Sequence, residues 1–244
     1  MSLSKVALVT GGSKGIGAGI VRRLSADGFA VAINYSKNPE PAEALVAELK
    51  EAGGRSFAIK CNVANSDDVT HMFNSIENEL GPINILINNA GIMINAPVAQ
   101  SEEVHFDEQI AVNLKGTFNT LKQAANRMPN GGRIVNISTS VVGLKLESYG
   151  IYAATKSAVE TLSAILSKEL RGREITVNTV APGPTGTDLF LNGKSQEMID
   201  RLANMSPLER LGTPEDIANA VAFLVGPDGA WINGQVLRAN GGLV

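Results

Sequence analysis

Tyr152 and Lys156 stand four residues apart in the sequence. On a helix this spacing places both side chains on one face. A free tyrosine loses its proton near pH ~10, and a neighbouring ammonium favours the phenolate and lowers that pKa. Such a phenol could pass a proton to or from a carbonyl or alcohol oxygen. The alternative interpretation is an ordinary amphipathic helix, because this pair alone has low specificity.

A glycine-rich loop near the start of the chain has the form of a phosphate-binding turn. The apolar run Val6–Thr10 predicts a strand buried on both faces, and it leads into the loop Thr10–Gly17. A helix with Ile16, Ile20 and Leu24 on its apolar face follows. Glycines let the backbone approach a pyrophosphate, and the helix amino end supplies amide donors. A plain tight turn is the alternative.

The end of the second predicted strand bears on the choice of dinucleotide. The run Phe29–Lys37 is apolar and ends in polar residues, with no acidic residue before Glu40. A carboxylate at this point would hold a ribose and repel a 2′-phosphate. Here Ser36 and Lys37 occupy the tip, and Lys14 of the glycine loop could reach the same phosphate. We therefore predict NADP(H) rather than NAD(H), the alternative being that the lysines are merely solvated.

Strands and helices alternate along the chain, which predicts one α/β domain over residues 1–244. The predicted doubly wound, Rossmann-type sheet is mainly parallel, with about seven strands and helices on both faces. Strands are expected at residues 6–10, 29–37, 55–63, 83–87, 133–137, 175–180 and 234–237. Helices are expected from residue 16, at 39–53, from the N-cap Ser66 to about 81, at 101–128 and 149–171, and from Thr213.

Polar and small residues follow several of these strands. Asn88-Asn89-Ala90-Gly91 follows the fourth strand, Ser138-Thr139-Ser140 the fifth, and Pro182–Thr187 the sixth. Asn113 lies in the middle of a predicted helix, a position that asparagine does not favour. It is either an exposed amide or one that holds a bent helix or an ordered water.

Composition excludes several classes of function. The net charge is −3 and no basic block is present, which argues against nucleic acid as a partner. The single cysteine, Cys61, excludes an internal disulfide framework and suits a reducing compartment. The two histidines, His71 and His105, are far apart, so we expect neither a catalytic triad nor a metal site. No apolar segment is long enough for a signal peptide or a membrane span, and we expect a cytoplasmic protein with no membrane partner.

With these motifs in place, the chain resembles the short-chain dehydrogenase/reductase family along its whole length. Within that family it is similar to 3-oxoacyl-[acyl-carrier-protein] reductases and to related aldehyde and ketone reductases. The resemblance is carried by several motifs in the family's order, namely Thr10–Gly17, Asn88–Gly91, Asn113, Ser138–Ser140, Tyr152 with Lys156, Pro182–Thr187, and Trp231–Gly242.

The resemblance implies a role for each matched residue. Tyr152 would donate a proton to the carbonyl oxygen, while Lys156 would lower the pKa of Tyr152 and hold the nicotinamide ribose. Asn113 would anchor a water of the proton relay. The family's hydroxyl usually sits thirteen residues before the tyrosine, which is Thr139, whereas Ser140 has the usual residue type one place later. Both stay candidates, because adjacent strand residues point to opposite faces.

The resemblance also implies a set of cofactor contacts. At two positions the sequence differs from the family's usual residue. Asn62 stands where the family often has aspartate, and an amide there could still contact adenine. Asn240 replaces a common aspartate, which puts nothing catalytic in doubt. The expected NADP(H) contacts are Gly11, Ser13, Lys14, Gly15, Ile16, Gly17, Tyr35, Ser36, Asn62, Val63, Asn89, Ala90, Gly91, Tyr152, Lys156, Pro182, Gly183, Thr185 and Thr187.

The expected function is NADPH-dependent reduction of a ketone or aldehyde, with Leu189–Ser206 as a lid over the substrate. A narrower alternative is reduction of 3-oxoacyl thioesters on acyl-carrier protein, an acidic partner that needs a basic patch. The candidates for that patch are Arg127, Arg171 and Arg173, which could also be solvated helix ends. A third alternative is an NADP-binding regulator without turnover.

The family resemblance further implies a homotetramer built partly from the long helices. The apolar residues Val159, Leu162, Ile165 and Leu166 could belong to that interface or to the core, and spacing does not decide between them.

Overall fold

A computed structural model describes residues 4–244, and within that range seven strands form one sheet. Every neighbouring pair is parallel, and the strand order is β3-β2-β1-β4-β5-β6-β7. The strands are β1 Val6–Val9, β2 Ala30–Tyr35, β3 Ser56–Lys60, β4 Ile83–Asn88, β5 Arg133–Ile137, β6 Thr176–Pro182 and β7 Val236–Ala239.

Helices connect the strands and cover both faces of the sheet. They are α1 Gly15–Ala26, α2 Glu40–Glu51, α3 Ser66–Glu79, α4 Glu103–Gln109, α5 Gly116–Arg127, α6 Val141–Leu144, α7 Gly150–Glu169, α8 Asp188–Leu191, α9 Gln196–Asn204 and α10 Pro214–Val225. A π-helical turn, Ile110–Lys115, joins α4 to α5, and short 3₁₀ turns lie at Val98–Gln100 and Pro227–Gly229.

The central strands are buried on both faces, which accounts for their continuous apolar runs. In β1, Val6 and Leu8 pack into one core with side chains of α3, α5 and α7. Ala7 and Val9 pack into the other core with side chains of α1, α2 and α10. This two-layer cover confirms the predicted doubly wound α/β sheet.

The strand order reverses beside β1, which has β2 on one side and β4 on the other. In open parallel sheets, ligands bind in the crevice at the carboxyl ends of the strands where the order reverses. The loops after β1, β4, β5 and β6 meet at this edge, so the fold brings four of the predicted motifs together.

The helix predicted over residues 101–128 is interrupted. The π-helical turn separates α4 from α5, and Asn113 lies inside it with a fully buried side chain. A π turn frees backbone groups and re-aims side chains, and such turns are frequent at functional sites. The prediction of an exposed amide at Asn113 is therefore wrong, and the prediction of an irregular helix is confirmed.

Two predicted helix caps have different outcomes. The N-cap of α3 is Asn65 rather than Ser66, because the side-chain oxygen of Asn65 accepts from the backbone amides of Asp67 and Asp68 at 2.8 and 3.1 Å. Thr213 caps α10 as predicted, in a reciprocal capping box with Asp216.

The apolar residues of α7 divide between core and surface. Val159 and Leu166 are buried, Leu162 packs against the same core, and Ile165 is exposed. The predicted lid, 189–206, contains most of α8 and all of α9. Among residues 4–244, no helix has the length and apolar character needed to cross a bilayer.

Candidate active site

The glycine loop after β1 brings backbone close to the loop after β4. Gly11 and Gly15 have positive φ values of 58° and 51°, which glycine adopts without strain. A side chain at Gly11 would place its Cβ 2.9 Å from the Cα of Ala90. Asn89 ties the two loops together, since its amide donates to the carbonyl oxygens of Thr10 and Gly11 at 3.0 and 2.9 Å.

The amino end of α1 is free to bind an anion. Lys14 is its N-cap residue, has extended backbone angles, and makes no side-chain capping bond. The first turn of α1 carries no acidic residue that would repel a phosphate. Unpaired amide donors at a helix amino end, beside glycines that allow close approach, fit the pyrophosphate of a dinucleotide.

A cleft of about 590 Å³ opens beside this loop at the carboxyl edge of the sheet. It joins the glycine loop, the loop after β4, the hydroxyl loop after β5, the start of α7 and the loop after β6. The residues predicted from sequence that line it are Gly11, Lys14, Gly15, Ile16, Gly17, Asn89, Ala90, Gly91, Thr139, Ser140, Tyr152, Lys156, Pro182, Gly183, Thr185 and Thr187.

Lys156 is buried behind Tyr152 on α7. Its side chain is only 4% exposed, and its Nζ lies 5.9 Å from the centroid of the Tyr152 ring. The ammonium donates to the carbonyl oxygen of Ile137 at 2.7 Å. Burial disfavours the charged form and lowers the pKa of Lys156 to about 8. The lysine therefore stays mainly protonated at neutral pH and titrates just above it.

The pKa of Tyr152 moves in the direction opposite to the sequence prediction. Burial of the phenol raises its pKa to about 12, while the nearby Thr139 hydroxyl lowers it and the neighbouring Tyr149 raises it slightly further. Lys156, whose ammonium donates to Ile137, is not among the causes of this shift. The expected lowering of the Tyr152 pKa is thus wrong, because burial of the phenol outweighs the effects that favour the phenolate.

The three hydroxyls after β5 have different partners. Thr139 lines the cleft with Tyr152 and lies close enough to lower the pKa of that phenol, and its hydroxyl accepts from the amide of Val141 at 3.3 Å. Ser140 is buried, accepts from the Asn240 amide at 3.0 Å and lies 3.4 Å from the carbonyl oxygen of Ala181. Ser138 donates to the Glu160 carboxylate at 2.6 Å. Of the two candidates left open by the sequence, Thr139 is the one that faces the phenol.

Asn113 joins the π-helical turn to the loop after β4. Its side-chain oxygen accepts from the Ile92 amide at 2.8 Å, and its nitrogen donates to the Ile92 carbonyl oxygen at 2.9 Å. The same nitrogen lies 3.2 Å from the hydroxyl of Thr155, beside Lys156 on α7. Asn113 does not line the cleft, so it positions the loop and the helix rather than touching a bound molecule.

Five predicted cofactor contacts lie outside the lined part of the cleft. Ser36 is exposed and Tyr35 partly buried at the end of β2. The Asn62 side chain accepts from the amide of Ala64 at 3.1 Å, within its own turn. Val63 is a core residue against Gly116. These residues and Ser13 lie near the ends of β1, β2 and β3, which is the side of the crevice where an adenosine would extend.

The three arginines considered for a basic patch lie away from the cleft of their own chain. Arg127 ends α5 and pairs with Glu77, and Arg173 donates to the carbonyl oxygens of Ala125 and Met128. Arg127 and Arg171 lie in the segments that lead into β5 and β6, at the sheet edge opposite Tyr152. These three arginines therefore do not form a basic patch at the mouth of their own chain.

The predicted lid contributes Leu202 and Met205 to the cleft, whereas several other apolar side chains were not predicted from sequence. They come from loops and helices far apart in the chain, so no local spacing marks them. They are Met93, Val141, Leu144, Leu146 and Leu243. Tyr149 adds a second phenol to the same wall. The cleft therefore combines a polar group of Tyr152 and Thr139 with a largely apolar surround.

Comparison with known sequences places the chain among reductases. A family model described as enoyl-(acyl carrier protein) reductase matches residues 11–244. A short-chain type dehydrogenase/reductase of Picea abies is 41% identical, covering 98% of this chain and 92% of the relative. A chloroplastic NADPH-dependent aldehyde reductase-like protein of Arabidopsis thaliana is 39% identical, with 98% and 94% coverage. A 3-oxoacyl-[acyl-carrier-protein] reductase of Staphylococcus aureus is 40% identical, with 100% and 99% coverage.

Solved structures of the same fold superpose along nearly the whole chain. A short-chain dehydrogenase/reductase from Serratia marcescens has a TM-score of 0.94 at 35% identity, covering 99% of this chain and 98% of that one. A metagenomic blue fluorescent protein in complex with NADPH has a TM-score of 0.94 at 37% identity, with the same coverage. A Burkholderia cenocepacia short-chain dehydrogenase in complex with NADP has a TM-score of 0.93 at 36% identity, again with 99% and 98% coverage.

Proposed function

Because the chain belongs to the short-chain dehydrogenase/reductase family, we propose that it reduces a ketone or aldehyde carbonyl to an alcohol with NADPH. The observation that carries this proposal is the meeting of Tyr152, Thr139 and Lys156 in one cleft with the glycine loop. A proton donor and a dinucleotide-binding turn at the same opening are what carbonyl reduction requires.

Tyr152 is the proposed proton donor. With a pKa of about 12, the phenol is protonated at every pH near neutrality. The Thr139 hydroxyl, which lines the same cleft, helps to hold the carbonyl oxygen of the substrate in line with that phenol. NADPH, when bound, supplies the hydride. As negative charge develops on the carbonyl oxygen, the Tyr152 hydroxyl donates its proton to it, since an alkoxide is a stronger base than a phenolate.

Lys156 and Asn113 are proposed to support this step in different ways. The Lys156 ammonium, held by Ile137, places a positive charge beneath Tyr152 and near Gly91, where it favours a bound dinucleotide and a developing anion. Asn113 fixes the loop at Ile92 against α7. We propose that Asn113 acts by positioning these elements and by anchoring a water of the proton relay.

NADP(H) is the proposed dinucleotide. Lys14, Ser36 and Lys37 are exposed near the predicted adenosine side, and no carboxylate follows β2 before Glu40. A lysine ammonium suits a 2′-phosphate, and the missing carboxylate removes the group that would repel it. The Arabidopsis relative and the two nucleotide-bound structures support the same choice by their descriptions.

An apolar substrate portion fits the cleft best. The wall around Tyr152 is built from leucine, methionine and valine side chains, and the lid contributes Leu202 and Met205. Among the described residues that line the cleft, the charged ones are Lys14, Lys156 and Asp188. A neutral aldehyde or ketone with an apolar chain or ring is therefore the proposed substrate class.

A second candidate is reduction of 3-oxoacyl thioesters on acyl-carrier protein. It is favoured by the Staphylococcus aureus relative, a 3-oxoacyl-[acyl-carrier-protein] reductase that aligns over 100% of this chain. The apolar wall suits an acyl chain equally well. Against it stands the placement of Arg127, Arg171 and Arg173 at the far edge of the sheet, which leaves the mouth of a single chain without their charges.

We also propose a single domain over residues 1–244, a homotetramer and a cytoplasmic location. Two continuous cores share one sheet, which supports the single domain. Exposed apolar residues on the helices beside the site, among them Phe118 on α5 and Ile165 on α7, support association of these helices. Light scattering on the purified protein tests the tetramer.

Turnover with a panel of carbonyl compounds tests the proposal. Simple aldehydes, ketones and a 3-oxoacyl thioester of acyl-carrier protein are each assayed with NADPH and with NADH. Reduction of simple carbonyls with a preference for NADPH is expected. Activity confined to the thioester favours the second candidate, and tight NADPH binding without any turnover favours a non-catalytic regulator.

A further inference from the structure

Residues 240–244 follow β7 and turn back towards the cleft. The reversal is made by Gly241 and Gly242, whose φ values of +64° and +88° favour glycine. A Cβ on Gly241 would lie 2.3 Å from the Oγ of Ser206. Both conformation and space therefore require glycine, and the path of residues 240–244 is closely specified.

Asn240, the first residue of this segment, is hydrogen-bonded to the loop that carries Thr139. The Asn240 side-chain nitrogen donates to the Oγ of Ser140 at 3.0 Å and to the carbonyl oxygen of Val244 at 3.2 Å. Its side-chain oxygen accepts from the amide of Gly242 at 3.1 Å. Asn240 thus closes the turn on itself and attaches it directly beside Thr139.

Residues 240–244 also pack against α6 and the end of the lid. The Val244 side chain lies so close to Gly143 that a Cβ there would be 2.7 Å from it. The Ser206 hydroxyl donates to the Gly241 carbonyl oxygen at 2.8 Å, and Pro207 packs on Gly242. The segment therefore bridges the hydroxyl loop and the lid.

Leu243, the residue between these attachments, lines the cleft together with Tyr152, Leu144 and Met205. Resting on the carbonyl reduction proposed above, we propose that Leu243 contacts the apolar portion of the substrate and determines specificity, and that Asn240 is the positioning residue that holds it there. The segment is thereby a fixed wall of the substrate site, attached to the end of the lid at Ser206.

The apolar side chain of Leu243 determines which substrates this wall favours. Leucine offers no hydrogen bond, so it discriminates by contact area alone, and loss of a few methylene-sized contacts changes relative kcat/KM by about tenfold or more. An eight-carbon aldehyde held at Tyr152 offers more apolar length to this wall than a three-carbon aldehyde does. Loss of the Leu243 side chain should therefore affect the longer substrate more than the shorter one.

The first test compares octanal with propanal in Leu243→Ala. We expect the KM for octanal to rise about tenfold, with the KM for propanal and both kcat values within about twofold of wild type. Leu208→Ala is the matched control, because Leu208 is 62% exposed and lies near Gly241 of the same segment without lining the main cleft. An octanal-to-propanal ratio that is unchanged in Leu243→Ala overturns the proposal.

Binding of octanamide, which is not reduced, gives a readout that needs no turnover. Calorimetry in the presence of NADP⁺ should show an octanamide Kd about tenfold higher in Leu243→Ala and unchanged in Leu208→Ala. Equal Kd values in all three proteins contradict the role of Leu243. Inactivity of the wild type towards every carbonyl contradicts the proposed function instead, and the two failures are therefore distinguishable.

Asn240→Leu tests the positioning role with a side chain of similar size. We expect the same selective rise in KM for octanal, together with faster hydrogen exchange in peptides covering residues 140–146 and 240–244. A purely structural role would lower the melting temperature and leave the octanal-to-propanal ratio as in wild type, and that outcome overturns the positioning role.

Discussion

The ammonium of Lys156 donates a 2.7 Å hydrogen bond to the carbonyl oxygen of Ile137, the last residue of β5. This bond joins the helix that carries Tyr152 to the strand that leads into Thr139. Lys156 is thus a buried charge, and the effect of its removal on the stability of the fold can be estimated from its pKa.

Lys156→Met should inactivate the enzyme without destabilising the fold. Lowering the pKa of Lys156 from 10.5 to about 8 corresponds to a burial penalty of about 3 kcal/mol at neutral pH, at ~1.4 kcal/mol per pKa unit. Loss of the hydrogen bond to Ile137 costs roughly 1–3 kcal/mol and offsets most of the stability gained by removing this penalty. We expect a melting temperature at pH 7 equal to or above that of the wild type, measured by calorimetry.

The burial penalty of Lys156 should change with pH in a defined direction. The penalty is fully present below pH 8 and is relieved as pH rises from about 8 to 10.5, because the native lysine loses its proton before the unfolded one does. Any advantage of Lys156→Met should therefore shrink over that window. Lys168→Met, an exposed position at the end of the same helix, is the control. A Lys156→Met protein much less stable than wild type at pH 7 would contradict the burial argument.

Thr139 rather than Ser140 should supply the hydroxyl that acts on the substrate. Thr139→Val keeps the shape of the side chain and removes its hydroxyl, and kcat should fall roughly 100-fold. Ser140→Ala should keep kcat for a short aldehyde within about fivefold, because Ser140 is bonded to Asn240 and not to Tyr152. Steady-state kinetics of both variants decide the assignment, and a larger loss in Ser140→Ala would reverse it.

Alcohol oxidation and carbonyl reduction should respond differently to pH between 6 and 8. In this range Lys156, with a pKa of about 8, is charged at pH 6 and still about half charged at pH 8, while Tyr152, with a pKa of about 12, stays protonated. Reduction uses the protonated phenol and should be nearly flat. Oxidation with NADP⁺ needs the phenolate, whose fraction rises about tenfold per pH unit below its pKa. An oxidation rate that is flat over this range would show that the working phenol has a pKa below about 6.

The preference for NADPH should depend on Lys14. We expect Lys14→Ala to raise the KM for NADPH about tenfold or more and to leave the KM for NADH within about threefold, because only NADPH carries the 2′-phosphate. Lys122→Ala, an exposed lysine on α5, is the matched control. Equal effects of Lys14→Ala on both nucleotides would place the lysine at the shared pyrophosphate instead.

The order of elements could be predicted from the sequence because buried parallel strands leave continuous apolar runs. β5, with Ile134, Val135 and Ile137, was predicted with its correct bounds. The break at Asn113 was harder to place, since the π turn is only Ile110–Lys115 and has α-helices directly before and after it. The N-cap of α3 is Asn65 rather than the predicted Ser66. The sequence did not distinguish the two residues, because asparagine and serine cap helices equally well.

The sequence predicts which residues form the site more fully than it predicts their pKa values and the directions of their side chains. A tyrosine and a lysine four residues apart predict proximity, but not the direction of the ammonium, which Ile137 determines. Thr139 and Ser140 are adjacent in the chain, and only the fold shows which of them faces Tyr152. Leu243 enters the cleft through a turn that depends on contacts with Ser206 and Ser140, and these lie far away in sequence.

The most direct test of the account is the turnover of Tyr152→Phe with NADPH and an aldehyde that the wild type reduces. We predict a fall in kcat/KM of about a thousandfold, because the proton donor is removed, with the Kd for NADPH within about threefold of wild type. Tyr149→Phe, which removes the neighbouring phenol of the same cleft, should stay within about tenfold of wild type. Turnover by Tyr152→Phe equal to wild type on every accepted carbonyl would contradict the account.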